Sequence, residues 1–225
     1  LENADPFVLS AEKLKKIGRL ILKYFPEMKT ISTYSSINNL KNKTVEDLKA
    51  LKKLKFNDIY IGLESGYTPA LDMMNKGYDS DEAYQQLAKI NAAEIDYFAL
   101  LILGIAGKGN GEINAIETAK LLNKTHPKMI SVIPMGIFPG SKLKEKANKG
   151  IYKLPTELEV VEEEKLLLKL LNVDQCLFYG EHANNYIRLR GILGKDKQKM
   201  IDFIDTSIEE IGLESLNRTY NRSSI

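Results

Sequence analysis

Apolar positions along the chain alternate between helical and extended spacing. From Leu14 to Tyr24 they recur every three or four residues, with Ser10 in place as an N-cap and Pro26 as a stop. The next apolar run, within “KTISTYSS” (29–36), is short and predicts a strand. Because the same change of spacing recurs further on, the chain is predicted to alternate helices and strands.

Three more strands are predicted in this way, with helices between them. The strands are “DIYIGLE” (58–64), “DYFALLILG” (96–104) and “KMISVIPMGIF” (128–138). The clearest later helix is “PTELEVVEEEKLLLKLLN” (155–172), which opens with a capping box at Thr156. Long apolar runs are typical of parallel strands covered on both faces, and strands separated by helices indicate right-handed crossovers. The pattern therefore predicts one α/β domain, either a doubly wound sheet or a barrel.

The remaining stretches carry less regular patterns. Residues 176–191 (“CLFYGEHANNYIRLRG”) are predicted to be irregular, and the polar tail 216–225 to fray. The run “VEEEK” (161–165) is interpreted as a solvated helix face.

Composition narrows the class of protein. Of 225 residues 44% are apolar, and 32 basic against 30 acidic residues leave a formal charge of +2 spread along the chain. No apolar run reaches the roughly 18 to 20 residues that span a bilayer, and no basic block indicates nucleic-acid binding. We expect a soluble, cytoplasmic protein without a membrane or nucleic-acid partner. The single cysteine, Cys176, excludes a disulfide framework or a multi-cysteine metal site built from this chain alone, so no metal ligands are predicted within it.

The predicted strand ends carry the main functional signal, because ligands of both architectures bind at the carboxyl ends of parallel strands. Three of the four ends have glycine beside small or polar residues, which lets a ligand approach the backbone. Glu64 is unusual since it ends an apolar strand with a carboxylate. It is either part of a site or a cap or surface ion pair near Lys76. The glycine-rich segment 104–111 lacks the spacing of a phosphate-binding loop.

A second candidate site is the segment “YGEHANNY” (179–186). His182, Asn185 and Tyr186 could form a substrate site, or an ordered loop whose side chains satisfy the backbone. We predict no specific catalytic residue.

Several segments in order resemble the radical S-adenosylmethionine superfamily. They are “YIGLESG” (60–66), “MNKG” (74–77), “LILGIAGKG” (101–109), “FPGSKL” (138–143) and “EHANNYIRLRG” (181–191). The pattern is most similar to the branch shared by tRNA-modifying and oxygen-independent coproporphyrinogen-oxidising enzymes. The opening “ENADPFVLS” (2–10) is similar to the loop after the second strand of such a barrel.

The resemblance implies a partial (β/α)6 TIM-type barrel of parallel strands. Residues 1–150 would supply its third to sixth strands, and residues 151–225 a C-terminal helical extension packed on it as part of the same domain. The first strands and the C-x-x-x-C-x-x-C loop, which holds a [4Fe–4S] cluster, are absent here, so the cluster ligands are expected upstream and the chain by itself is expected to be inactive.

The function implied is that of an iron–sulfur oxidoreductase. In full length it would reductively cleave S-adenosylmethionine at the cluster to give a 5′-deoxyadenosyl radical, with an electron donor such as flavodoxin or ferredoxin and a substrate that the sequence does not identify. Two alternatives stay open. One is a (β/α)-barrel lyase or aldolase using Lys76 or Lys108 as a Schiff base, which requires a desolvated lysine; the other is a non-catalytic binding module.

The resemblance also implies cofactor contacts at the strand ends. Glu64 matches the residue that holds the ribose hydroxyls, and Lys76 matches the cation that faces the carboxylate of S-adenosylmethionine. The further implied cofactor contacts are Tyr34, Ser36, Ser65, Leu103, Gly104 and Ile105, the last three at the adenine.

Overall fold

A computed structural model describes residues 5–222. Its helices are α1 (Ala11–Tyr24), α2 (Ile37–Leu40), α3 (Val45–Lys53), α4 (Thr68–Met73), α5 (Ser80–Ala92), α6 (Gly111–Thr125), α7 (Lys142–Asn148), α8 (Glu157–Leu170), α9 (Lys197–Ile211) and α10 (Leu213–Leu216). Its strands are β1 (Ser32–Ser36), β2 (Asp58–Glu64), β3 (Asp96–Leu103), β4 (Met129–Pro134), β5 (Leu177–Gly180) and β6 (Leu189–Ile192). The prediction for residues 2–4 lies outside the described residues.

Local sequence signals account for most helix starts. Ser10 caps α1 and a reciprocal capping box opens α8 at Thr156, as predicted. A second reciprocal box opens α3 at Thr44. Asp79 forms a third box at the start of α5. Each box satisfies backbone N–H groups of the first turn that have no partner within the helix.

The six strands form one sheet in the order β1-β2-β3-β4-β5-β6. All neighbours pair in parallel except β5 and β6, which are antiparallel. The first four strands are the four that the sequence predicts, and their arrangement with intervening helices confirms the partial TIM-type barrel. Within residues 5–222 the sheet stays open, with β1 and β6 at its edges.

Residues 151–222 differ in part from the predicted helical extension. They contain α8 and α9 but also β5 and β6, which lengthen the sheet. Each of these strands has only four residues, and their position is set by pairing with β4 and with each other. The prediction of an irregular segment at 176–191 is therefore wrong for its two ends.

The two faces of the sheet differ in burial. Alternate residues such as Ile59, Ile61 and Ala99 are fully buried in the core with the helices. The opposite face is half-buried and carries a row of rings, in which Tyr60 lies 5.3 Å from Tyr34 and 4.6 Å from Phe98 between centroids. The sequence predicted cover on both faces, whereas this inner face of the open barrel is covered only in part.

The described part of the C-terminal tail is docked, contrary to the predicted fraying. Leu216 is fully buried. The side chain of Asn221 exchanges hydrogen bonds with the backbone of Ile137, at 2.7 Å and 2.9 Å. Hydrogen bonds between specific partners thus hold the tail in place, although its sequence has no apolar periodicity. None of the helices described between residues 5 and 222 is long and apolar enough to cross a membrane.

Candidate functional site

Glu64 and Lys76 meet at the carboxyl end of β2. The Nζ atom of Lys76 lies 2.9 Å from Oε1 of Glu64, with 30% and 19% of the two side chains exposed. The structure thus brings together the two residues that the resemblance implies as contacts of one cofactor. Since a surface ion pair was the alternative interpretation of the same two residues, their role in cofactor binding stays a prediction.

The backbone at Glu64 directs its carboxylate. Glu64 has φ 63°, in the left-handed region, and the register between β2 and β3 shifts between Gly62 and Glu64. A non-glycine residue there is strained by about 1–2 kcal/mol. A Cβ on Gly62 would lie 3.1 Å from Oε1 of Glu64. The bulge and the missing side chain of Gly62 therefore place the carboxylate against Lys76.

A cavity of about 350 Å³ opens at the carboxyl ends of β3 and β4. Its wall is mostly apolar. The charged side chains on it, Lys76 and Arg222, are both basic, and His182 also lines it. A volume of this size falls within the range of small-molecule sites, about 300–1,000 Å³. The complete lining consists of Met74, Lys76, Ile102, Ile133, Pro134, Met135, Gly136, Phe138, Ser141, Leu143, His182, Asn184 and Arg222.

The polar groups on this wall are held by partners behind it. Arg222 makes a bidentate pair with Glu157, at 2.7 Å and 2.6 Å, and Glu157 is only 1% exposed. The Nδ1 atom of His182 accepts the backbone N–H of Asn184 at 3.2 Å. Neutral His182 therefore carries its proton on Nε2, as a donor. The wall offers N–H donors to a ligand that presents acceptors.

Ser65 and Gly104 belong to a buried network that joins two strand ends. The hydroxyl of Ser65 donates to Oδ1 of Asn114 at 2.5 Å, and the Asn114 amide donates to Oε1 of Glu163 at 2.7 Å. The backbone N–H of Gly104 donates to the other oxygen of Glu163 at 3.0 Å. The loops after β2 and β3 are thereby tied to α8, and the network uses polar groups that the sequence predicted for a cofactor.

Leu103, Gly104 and Ile105 lie under α8 and its preceding loop, not on the cavity wall. All three are buried. Gly104 has φ 75°, and a Cβ there would lie 2.7 Å from Cγ of Pro155. At the end of β3 the residue on the wall is Ile102. The predicted adenine contact of these three residues therefore has no support in the cavity described.

Glu163 and Glu164 contradict the interpretation of “VEEEK” as a solvated face. They are 3% and 2% exposed. Successive helical residues point about 100° apart, so three glutamates in a row cannot share one face, and α8 contacts α6, α9 and β3. Burial raises the pKa of Glu163 to about 8, while the hydrogen bonds from Asn114 and Gly104 act in the opposite direction.

Tyr34 and Ser36 lie on β1, two strands from the cavity. The ring of Tyr34 packs on Tyr60. Ser36 caps α2 by accepting the N–H of Asn39 at 3.3 Å, and its own N–H donates to the carboxylate of Asp5 at 2.6 Å. The structure does not bring these two residues to the cavity wall.

The second candidate segment divides between two roles. His182 lines the cavity, but Asn185 is buried and donates to the backbone carbonyls of Val132 and Gly180 at 3.1 Å and 2.8 Å. Tyr186 stacks on Tyr220 at 6.5 Å between centroids. The segment thus combines a ligand-facing residue with an ordered loop, the two alternatives left open by the sequence.

Some wall residues carried no usable sequence signal. Arg222 lies in the tail that was predicted to fray, and Asn184 is a polar neighbour of the predicted Asn185. Ser141 and Leu143 belong to the segment 138–143, which was used only for its resemblance. A segment such as this becomes a wall only when tertiary packing folds it over the strand ends.

The chain does not fit an iron–sulfur cluster with its own residues. A [4Fe–4S] cluster is held by several thiolates, whereas Cys176 is the single cysteine and is fully buried. Burial raises the pKa of its thiol to about 12. In the described part of the chain no three His, Cys, Asp or Glu side chains converge on a possible metal position.

The two lysines considered for a Schiff base do not have the desolvated surroundings that this alternative requires. Lys76 is paired with Glu64, and Lys108 is exposed. The lysine with the lowest exposure is Lys43, at 3%, and burial lowers its pKa. Its Nζ donates to the carbonyls of Phe7 and Asn39, so it fixes the N-terminal turn to α2.

Comparison with known proteins finds a relative in sequence. No protein-family model matches the chain. The uncharacterized protein MJ0486 of Methanocaldococcus jannaschii is 26% identical over 189 residues, covering 83% of this chain and 53% of that protein. The chain therefore spans about half the length of the curated relative it matches.

Two solved structures share the fold. Elp3 of Methanocaldococcus infernus superimposes with a TM-score of 0.66 at 12% identity, over 94% of this chain and 53% of the Elp3 chain. Coproporphyrinogen III oxidase (HemN) of Escherichia coli, a radical SAM enzyme, gives 0.57 at 17% identity, over 74% and 38% of the two chains. The chain thus shares the fold of these two proteins, the second of which is a radical SAM enzyme.

Proposed function

We propose that this chain forms the S-adenosylmethionine-binding part of a radical S-adenosylmethionine enzyme, an iron–sulfur oxidoreductase. The observation that carries the proposal is the 350 Å³ cavity at the strand ends of this fold, with Lys76 on its wall and Glu64 bonded to Lys76. The ligands of the [4Fe–4S] cluster would lie in the rest of the full-length protein, since this chain offers one buried thiol.

The residues present fit S-adenosylmethionine. Ile102, Ile133 and Pro134 provide an apolar wall for the nucleoside. Lys76 on the wall provides a cation for the amino-acid carboxylate, and the carboxylate of Glu64 bonded to it provides an acceptor for ribose hydroxyls. When bound beside a reduced cluster, this cofactor supplies a carbon-centred radical. The residues of this chain bind and orient it and exclude water from the apolar wall.

The proposal includes an electron donor of the flavodoxin or ferredoxin type and a cytoplasmic location. Both follow from the proposed reaction class. The substrate stays unassigned.

Titration of S-adenosylmethionine into the anaerobically reconstituted full-length protein tests the proposal. We expect Glu64→Gln and Lys76→Met to weaken binding by about 1–3 kcal/mol each, or about 5- to 150-fold, as for lost hydrogen bonds to a charged group. The matched controls are Glu117→Gln and Lys120→Met, which break an ion pair of 2.6 Å on α6. Unchanged affinity in both test variants would reduce Glu64 and Lys76 to a surface ion pair. Absence of any binding or cleavage would overturn the function.

A further inference from the structure

A void about the size of one water molecule lies between α8 and the loop that joins β5 to β6. Its volume is about 10 Å³. Glu164 and Asn185 both line this void. Among the buried side chains of residues 5–222, Oε1 of Glu164 and Oδ1 of Asn185 are oxygens without a hydrogen-bond partner. Two side chains with one unpartnered acceptor each therefore line one small space. The other lining residues are Leu103, Pro134, Val160, Val161, Tyr186 and Ile187.

The hydrogen bonds of Asn185 fix which end of its amide is unpartnered. Nδ2 donates to the carbonyls of Val132 and Gly180. Flipping the amide would place an acceptor against two carbonyls, so Oδ1 must be the atom that lacks a donor. The backbone of Asn185 is also tied, since its N–H donates to the carbonyl of His182 at 2.9 Å.

Gly180 brings the two side chains together. A Cβ on Gly180 would lie 2.7 Å from Oε1 of Glu164 and 3.4 Å from Nδ2 of Asn185. The carboxyl of Glu164 and the amide of Asn185 thus pack against the same glycine. A side chain there would displace the carboxyl.

A single proton on Glu164 gives both unpartnered oxygens a hydrogen-bond partner. Two acceptors cannot bond to each other, and a buried ionised carboxylate without a donor is strongly unfavourable. Protonated Glu164 becomes a donor. A void of this size holds at most about one water molecule, so the link to Asn185 is direct or passes through a single water.

We propose that Glu164 is a neutral acid in the folded protein whose proton, through Asn185, holds the β5–β6 loop in place. His182 and Asn184 line the cavity. The carbonyl of His182 accepts the backbone N–H of Asn185, and its Nδ1 accepts the backbone N–H of Asn184, so Glu164 is a positioning residue for that cavity wall. The proposal depends on no assigned reaction.

The surrounding charges agree with a neutral Glu164. Burial raises its pKa to about 8, and the neighbouring carboxylate of Glu163 adds to this. Glu163 accepts N–H groups at both oxygens and is therefore the readier of the two to ionise. The β5–β6 loop brings two titratable residues near Glu164. Tyr186 lines the void, and His182 lies beyond it. The lining residues from β3 and β4, Leu103 and Pro134, carry no charge.

Infrared difference spectroscopy detects the proton directly. At pH 6 we expect carbonyl absorption of buried protonated carboxyls in the wild type, and the band that belongs to Glu164 should disappear in Glu164→Gln while that of Glu163 remains. The band should be lost as the pH passes about 8. Glu162→Gln is the matched control, because Glu162 is an exposed neighbour on the same helix and its replacement should leave the band intact. A spectrum without a band that depends on Glu164 would overturn the proposal.

The two histidines of the chain report on the positioning role. In NMR spectra recorded across the pH range we expect the ring resonances of His182 to report the titration of Glu164 as an inflection near pH 8 in the wild type, which is absent in Glu164→Gln. Exposed His126 serves as the internal control and should lack that inflection in both proteins. If Glu164→Gln does not fold, the wild-type titration alone decides, and a His182 resonance that is flat near pH 8 refutes the positioning role.

Discussion

The side-chain amide of Asn114 donates a hydrogen bond of 2.7 Å to the buried carboxylate of Glu163. The same side chain accepts from Ser65. A residue of α6 thus connects the loop after β2 with α8, and through Glu163 with the loop after β3. This amide thus adds a buried side-chain link between the two strand ends to the pairing of β2 with β3.

Replacing Asn114 with alanine should therefore lower the free energy of unfolding by about 2–4 kcal/mol, since two buried polar groups each lose a partner. Urea denaturation measures the change. Asn148→Ala is the control, because Asn148 is exposed on α7 and makes no described side-chain hydrogen bond, and it should stay within about 0.5 kcal/mol of the wild type. Equal effects of the two variants would contradict the connecting role.

The pair between Arg222 and Glu157 should dominate the docking of the tail. Arg222→Met leaves a carboxylate that is 1% exposed without its bidentate partner, and we expect a loss of about 3–5 kcal/mol. The double variant Arg222→Met with Glu157→Gln should recover part of this loss, as a double-mutant cycle would show. Arg218→Met breaks an exposed pair with Glu214 at 3.5 Å and should cost less than about 1 kcal/mol. A small effect of Arg222→Met would show that the tail is held by other contacts.

Gly104 should tolerate a side chain less well than Gly150, although the two have nearly the same backbone conformation. Their φ values are 75° and 71°, but a Cβ on Gly104 meets Pro155 at 2.7 Å whereas nothing lies within 4 Å of one on Gly150. Gly150→Ala should cost about 1–2 kcal/mol for the left-handed backbone alone. Gly104→Ala should cost about 1–3 kcal/mol more because of the overpacking. Thermal unfolding of the two variants measures the difference. Equal losses of stability would show that the loop at Pro155 moves aside without an energetic cost.

Stability should fall as the pH rises between about 4.5 and 8. Glu164 has a folded pKa of about 8 against an ordinary value of 4.5, so the folded protein binds the proton more tightly. Its contribution is fully present below pH 4.5 and is lost as the pH rises through the folded pKa. The slope of the free energy of unfolding should be at most about 1.4 kcal/mol per pH unit for this group. Glu164→Gln should reduce the slope by that amount and Glu162→Gln should not; an unchanged slope in Glu164→Gln would place the titration elsewhere.

The chain by itself should bind no iron and be colourless. Its single thiol, Cys176, is buried, and burial raises its pKa to about 12, which suppresses the thiolate that a metal needs. Anaerobic reconstitution followed by iron and sulfide analysis checks this. A thiol reagent should label Cys176 slowly in the native chain and rapidly in urea. A stoichiometric cluster on these 225 residues would be incompatible with this account.

Local patterns allowed the central part of the fold to be predicted. The strands β1 to β4 follow from apolar runs, and the helix starts at Ser10 and Thr156 follow from capping residues, because both signals act between near neighbours in the chain. Glu64 and Lys76 could also be selected, since a carboxylate at the end of an apolar strand is a local anomaly and a short helix limits how far away Lys76 can lie.

The errors concern contacts between distant segments. The strands β5 and β6 have four residues each, too few for a period to be read, and exist through pairing with β4 and with each other. The burial of Glu163 and Glu164 depends on which sides of α8 are covered by α6, α9 and β3. No periodicity within α8 carries that information.

The sequence by itself determined the α/β class and the four parallel strands, and it made Glu64 at the end of β2 a candidate site residue, because these depend on residues within a few positions of one another. The tertiary structure alone decided that Ile102 and not Leu103 faces the cavity, that Arg222 and Asn184 reach its wall, and that Glu164 meets Asn185. The physical reason is that segments far away in the chain set the neighbours of a side chain, and hence its burial and its protonation state.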